Sequence, residues 1–260
     1  MKFHFRFESN ASDGGYVGVM RNSPVFKGPI ASQNAGSSDP GLYYIVDGGG
    51  LNQQFHDAFG ATQRAQVKRC LEQAYDKRFG ADAWANDGKT ARGDRLTSLY
   101  VPIPMPLPHD AKIGTDVQAM VYSVGPHLHG SIVDRDTFRQ VYVDALEVLA
   151  QAQRDAGAGT APMALRLTLL STGIYGGVSA DTAEERARLQ TDLCRDVAAL
   201  VLEAVSAAAG GAYAANLPTT LLINADQSAG TGTGKEFDAF KNAAAARGIP
   251  CTTAGFDLDV

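Results

Sequence analysis

The sequence predicts an α/β protein: a three-layer α/β/α sandwich around a mixed, largely parallel sheet. Three observations carry this. Short apolar runs alternate along the whole chain with longer amphipathic segments of helical period. Strands interleaved with helices in that way bury a sheet between two helical layers. Gly-rich stretches also stand just ahead of two helical patterns, where the crossovers of such a sheet turn back.

The elements follow in order. Residues 2–8 alternate Phe with polar residues and read as an amphipathic strand, and 16–20 as a second. Residues 25–33 form a short β candidate interrupted by Gly28 and Pro29, and 36–41 a Gly/Ser/Asp/Pro loop. Helices are predicted over 51–59 and over 61–79, the latter ending near Gly80. An exposed insertion is expected around 80–110, polar at first and then alternating Pro with apolar residues over 100–108. Proline lacks the N–H donor, so that stretch is extended or an edge strand. Residues 117–124 read as a buried strand. Residues 136–155 form a helix with Phe138, Val141, Tyr142, Ala145, Leu146 and Leu149 on one face, closed by Gly157 and Gly159. A strand over 164–171 leads to a helix over 182–208, with Asp181 as its N-cap and Glu184 and Glu185 in its first turn. A strand over 219–224, a Gly/Thr loop and a helix over 235–247 complete the pattern. No linker or internal repeat divides the chain, so residues 1–260 are expected to form a single domain.

Composition narrows the function. With 45% apolar and 8% aromatic residues the chain can bury a large core. A net charge of −5 disfavours nonspecific nucleic-acid binding, which needs many Lys and Arg contacts to phosphates. Arg64, Lys68 and Arg69 on one predicted helix read more readily as a solvated face than as a basic patch. Cys70, Cys194 and Cys251 lack disulfide or zinc spacing, so no metal or cofactor is expected and the compartment expected is a reducing one, the cytoplasm. The N-terminus is no cleavable signal peptide and no apolar run is long enough for a bilayer, so no membrane association is expected; a secreted effector with a non-cleaved signal stays open.

Candidate chemistry lies in two Gly-rich stretches. Leu167-Thr168-Leu169-Leu170 breaks into Ser171-Thr172-Gly173-Ile174-Tyr175-Gly176 ahead of a long helix. Far upstream, Asp47-Gly48-Gly49-Gly50-Leu51 opens another helix. Glycine lets backbone N–H groups approach an oxyanion, and a helix N-terminus favours negative charge, so two such loops can hold a diphosphate from both sides. A third stretch, Gly230-Thr231-Gly232-Thr233-Gly234-Lys235-Glu236, lacks the leading glycine (Ala229 stands there) and the Mg²⁺-binding hydroxyl after the lysine, so it reads as a flexible loop and not a triphosphate loop.

These motifs resemble the macro domains, which bind ADP-ribose. Gln33-Asn34-Ala35 resembles their first loop, and Gly48-Gly49-Gly50-Leu51 through His56, Ala58 and Gly60 keeps the register of the loop and helix that follow. Val121-Tyr122-Ser123-Val124-Gly125-Pro126 is similar to the family's strand ending in Val-Gly-Pro, and Ser171–Gly176 to its second diphosphate loop. The resemblance covers about residues 16–225. It implies the same α/β/α architecture, with ADP-ribose or an ADP-ribosylated protein as partner and Asn34, Gly48, Gly49, Gly50, Leu51, Ser171, Thr172, Gly173, Ile174, Tyr175 and Gly176 in contact with the ligand. Hydrolytic relatives commonly carry an aspartate where this chain has Asn52, and an amide cannot serve as a general base. Asn52 and His56 are the candidate catalytic residues, although a helix histidine is more often structural. The aspartate that relatives often place at adenine falls near Met20, so that contact does not carry over; Asp13 and Asn22 are substitutes. Three functions stay open: an ADP-ribose-binding module, an ADP-ribosyl hydrolase, and an α/β protein for another nucleotide or signalling molecule without hydrolase activity.

Overall fold

Phe3, Phe5 and Phe7 all turn to one side of the first strand, β1 (Lys2–Glu8), because strand side chains alternate between faces. The computed structural model describes residues 1–9, 18–36, 51–87, 97–157, 159–171, 177–224 and 236–260, with the backbone alone at 51–53. The further strands are β2 (Ile30–Gly36), β3 (Ser98–Pro102), β4 (Val117–Val124), β5 (Ala164–Leu167), β6 (Thr220–Asn224) and β7 (Gly255–Asp259). They form one seven-stranded sheet in the order β3-β4-β2-β5-β6-β1-β7. β4, β2, β5, β6 and β1 run parallel, and the two outermost strands are antiparallel to their neighbours. The sheet is therefore mixed and largely parallel.

Helices cover both faces. On one side α4 (Arg135–Ala156), α5 (Ala183–Ala209) and α6 (Glu236–Ala245) share a core with Phe3, Phe5, Phe7, Val121, Leu165 and Ile223. On the other, α1 (Leu51–Ala58) and α2 (Gly60–Phe79) pack Phe55, Val67, Leu71 and Tyr75 against Met120, Tyr122, Leu99 and Val101. A single turn, α3 (Ala83–Asn86), follows α2. The predicted apolar face of α4 is buried throughout. Asp134 caps α4, accepting from Thr137 N at 2.9 Å. At α5 the cap is Thr182 and not Asp181: Thr182 accepts from Glu185 N at 3.1 Å, the spacing of a capping box.

Several boundaries differ from expectation. Of the strand expected at 16–20, residues 18–20 are not strand. The β candidate at 25–33 shifts to Ile30–Gly36, since Pro29 cannot donate to a ladder. β5 stops at Leu167, four residues early. Within 80–110, Ser98–Pro102 is an integral edge strand on β4. β7 was not expected at all: its Phe256 and Leu258 alternate over too short a run, yet Phe256 stacks on Phe5 with ring centroids 4.5 Å apart. Among the described residues no helix is long and apolar enough to cross a membrane.

The described part of the β1–β2 crossover, residues 18–29, contains no helix and covers the α1/α2 side of the sheet. What anchors it is a buried ion pair. Arg166 of β5 donates through Nε to Glu8 Oε1 at 2.5 Å and through Nη2 to Oε2 at 3.3 Å. Its Nη1 donates to Val19 O at 2.7 Å and Arg21 O at 3.0 Å. Both side chains are essentially inaccessible, so each charge needs the other. Arg166→Met alone should cost about 3–5 kcal/mol, because Glu8 is then buried unpaired, and Glu8→Leu alone a similar amount. The double variant should recover most of that loss. Urea denaturation followed by circular dichroism checks it; additive losses in the double variant would refute the pairing.

Candidate functional site

Ligands of an open parallel sheet bind past the strand carboxyl ends, where neighbouring strands send their connections to opposite faces. Here β2 leads to α1 on one face, while β5 leads to α5 and β4 to α4 on the other. At the same place the sheet parts. β2 stays paired with β4 as far as Gly36↔Val124, but its pairing with β5 ends at Ser32↔Arg166.

The parted backbone is satisfied by side chains. Thr168 N donates to Gln33 Oε1 at 3.0 Å, and Thr168 Oγ1 to Gln33 O at 3.0 Å. Gln33 Nε2 donates to Ser123 Oγ at 2.9 Å. Ser123 Oγ donates to Ser98 Oγ at 2.7 Å, and the Ser98 hydroxyl donates in turn to Val141 O at 2.9 Å. A buried polar chain thus runs from β5 through β2, β4 and β3 to α4. Tyr142 of α4 holds the next turn: its hydroxyl donates to Thr168 O at 3.0 Å and accepts from Leu170 N at 2.7 Å.

The exit of β5 also rests on the exit of β4. A Cβ at Gly125 would come within 2.5 Å of Ser171 Oγ, and one at Gly177 within 2.8 Å of His129 Cα. Gly177, at φ 59° and against the His129 backbone, is therefore required there, and Gly125 leaves room for the Ser171 hydroxyl. Ser171 itself is buried and left-handed, at φ 59°. Glu236, at the start of α6, accepts from Leu169 N. Burial raises its carboxyl from the ordinary 4.5 to about 8, outweighing both that hydrogen bond and the favourable helix dipole.

Of the residues singled out from sequence, Asn34 lies near the carboxyl end of β2 and Ser171 in the turn that follows β5. Asn34 is fully buried and hydrogen-bonds Tyr122 of β4, whose hydroxyl burial pushes well up. Leu51 and Asn52 form the first turn of α1. His56 is partly buried, and its Nε2 accepts from Arg64 at 2.9 Å, which leaves Nδ1 to carry the proton toward Asp57 Oδ1 at 3.5 Å. Arg64 is thus engaged within the helical layer, and Lys68 pairs with Glu72. Gly48, Gly49, Gly50, Thr172, Gly173, Ile174, Tyr175 and Gly176 lie outside the described residues, as do Asp13 and the Gly230–Lys235 stretch. Asn22 lies at the opposite end of the sheet, where Oδ1 accepts from Asp116 N ahead of β4, so it does not take the adenine role. Gln33, Tyr142 and Glu236 were not singled out for the site. Gln33 sits in a polar run, Ser32-Gln33-Asn34, within a strand that is almost wholly buried, and that run was its signal; nothing local marks the other two.

Among the described residues no group of three or more His, Cys, Asp or Glu could hold a metal ion. No protein-family model matches this chain, and no curated protein matches it.

Glu236 makes stability depend on pH. Its folded value lies above the unfolded one, so its contribution is full below 4.5 and is lost as pH rises through about 8. Glu236→Gln should flatten this decline, measured as the urea midpoint between pH 5 and 9. An unchanged pH profile would mean that Glu236 is not the buried acid.

Proposed function

We propose that the protein binds ADP-ribose, free or attached to a protein, and holds its diphosphate between Gly48–Leu51 and Ser171–Gly176 in a macro-domain-like α/β/α fold. One observation supports this above the rest. β2 and β5 are parallel neighbours that part at their carboxyl ends, and the two Gly-rich stretches follow these two strands in the chain. The glycine triplet runs directly into α1, whose N-terminal amides suit an anion. Tyr175 is assigned to cover the ligand and Asn34 to line the floor near the proximal ribose.

Binding is favoured over hydrolysis. Asn52 can orient a water but cannot take its proton. His56 would have to give up the hydrogen bond from Arg64 before Nε2 could act as a base. If hydrolysis occurs, a ligand phosphate oxygen is the best placed base, since the diphosphate sits beside the ribose.

ADP-ribose at a hundred times its dissociation constant should stabilise the protein by about 2.7 kcal/mol, with AMP, ATP and NAD giving less. Gly173→Val, which blocks close backbone approach, should weaken ADP-ribose binding by about 1–3 kcal/mol in calorimetry. Equal stabilisation by ATP or AMP would favour the other reading, a general nucleotide-binding protein.

Label release from a mono-ADP-ribosylated acceptor should be slow or absent in the wild type and rise in Asn52→Asp. Rapid wild-type turnover that vanishes in His56→Ala would replace the binding module with a histidine-dependent hydrolase.

A further inference from the structure

The loop from β4 to α4 has a feature that the diphosphate reading does not use. Residues 125–134 read Gly-Pro-His-Leu-His-Gly-Ser-Ile-Val-Asp. Leu128 is buried in the α4-side core, and its neighbours His127 and His129 are both exposed. Burial of the middle residue leaves the flanking imidazoles together, with ring centroids 6.2 Å apart and planes 25° from parallel.

Their position ties them to the second Gly-rich stretch. Gly125 lies against Ser171, the first residue of that stretch, and His129 lies against Gly177, the residue just after it. Both of its ends are thus braced by the loop that carries the histidines. Backbone strain gathers at the same junction. Among the described residues three non-glycine residues have positive φ, and two of them are His129 at 46° and Ser171 at 59°. Such conformations cost free energy and persist where the surroundings over-determine them, commonly at ligand sites.

Charge completes the picture. Apart from the two histidines, Asp134 and Asp181 are the only Asp, Glu, Lys, Arg or His residues in stretches 125–134 and 168–182. The Asp134 carboxylate is occupied by Thr137, accepting from its N–H and its hydroxyl. From α6 the ionisable group facing the β5 exit is Glu236, buried on Leu169 N–H. Imidazole N–H groups donate hydrogen bonds to phosphate oxygens.

We infer that His127 and His129 form a rim subsite for phosphate beside Ser171 and Gly177, donating imidazole N–H groups to a nucleotide diphosphate. The nucleotide part of this inference rests on the proposed ADP-ribose reading; the phosphate part does not.

The test uses two probes, inorganic pyrophosphate and ADP-ribose, on the wild type and on a His127→Asn/His129→Asn double variant. Asparagine is neutral and tolerates the left-handed backbone at position 129. Pyrophosphate should shift the imidazole NMR resonances of His127 and His129 at pH 5.5 and leave those of His4 and His109 in place. Affinity for ADP-ribose in calorimetry should be roughly tenfold lower in the double variant than in the wild type, as expected for loss of hydrogen bonds to phosphate. If ADP-ribose binds but the double variant keeps the wild-type affinity and the two resonances stay still, the subsite is overturned and the ADP-ribose reading stands. If pyrophosphate moves both resonances but ADP-ribose does not bind, the subsite stands and the ADP-ribose reading falls. If neither probe acts, both fall.

Discussion

The parting of β2 from β5 at their carboxyl ends rests on a backbone accounting problem at Thr168. Where β2 and β5 part, the ladder stops supplying partners, and a buried amide left without an acceptor costs about 1–3 kcal/mol. Gln33 reaches from the middle of β2 to supply that acceptor. Its own amide must then be satisfied in turn, which draws in Ser123, Ser98 and the α4 backbone. The opening between the strands therefore exists because one side chain spans it, and the strand exits on either side inherit their positions from that span. Tyr142 extends the same solution by one turn, taking one donor and one acceptor of the next segment.

Much of the fold was legible in the sequence, and the reasons for success and failure are physical. β4 was read with its bounds intact because it is mostly apolar and Gly125-Pro126 ends it. The α4 face was readable because three- and four-residue spacing admits few alternatives. β5 was read too long because Leu169 and Leu170 are apolar and buried, yet they belong to a turn held by side chains rather than to the ladder. The strand at 16–20 was a false reading at residues 18–20: Val19 and Met20 are buried, but under an ion pair and not in a sheet. β7 was missed because its stability comes from Phe5 and the backbone of β1, partners far away in sequence.

The site was legible only in outline. Glycine triplets and strand–helix junctions can be read locally, so the two Gly-rich stretches stood out. The parting of β2 from β5 depends on Gln33 meeting Thr168, a pairing that no local pattern announces. Asn34 was singled out for ligand contact, and its hydrogen bond to Tyr122 adds a structural duty to that expectation. His56 accepts from Arg64, which lies one helix further on in the chain and within reach of its ring.

The pairing of β1 has a kinetic consequence. β1 joins the sheet through β6 and β7, and its side-chain contacts reach far along the chain, 253 residues between His4 and Asp257 and further still between Lys2 and Asp259. Loop-closure entropy must be met before such contacts return anything, so β1 is a late arrival in folding. During synthesis its three phenylalanines wait for partners that have not yet emerged. The intervening His4 and Arg6 interrupt what would otherwise be an aromatic strand prone to pairing with other chains. In the finished sheet the same two side chains meet Asp257 on β7, so the residues that keep the nascent strand soluble become the clasp that closes it.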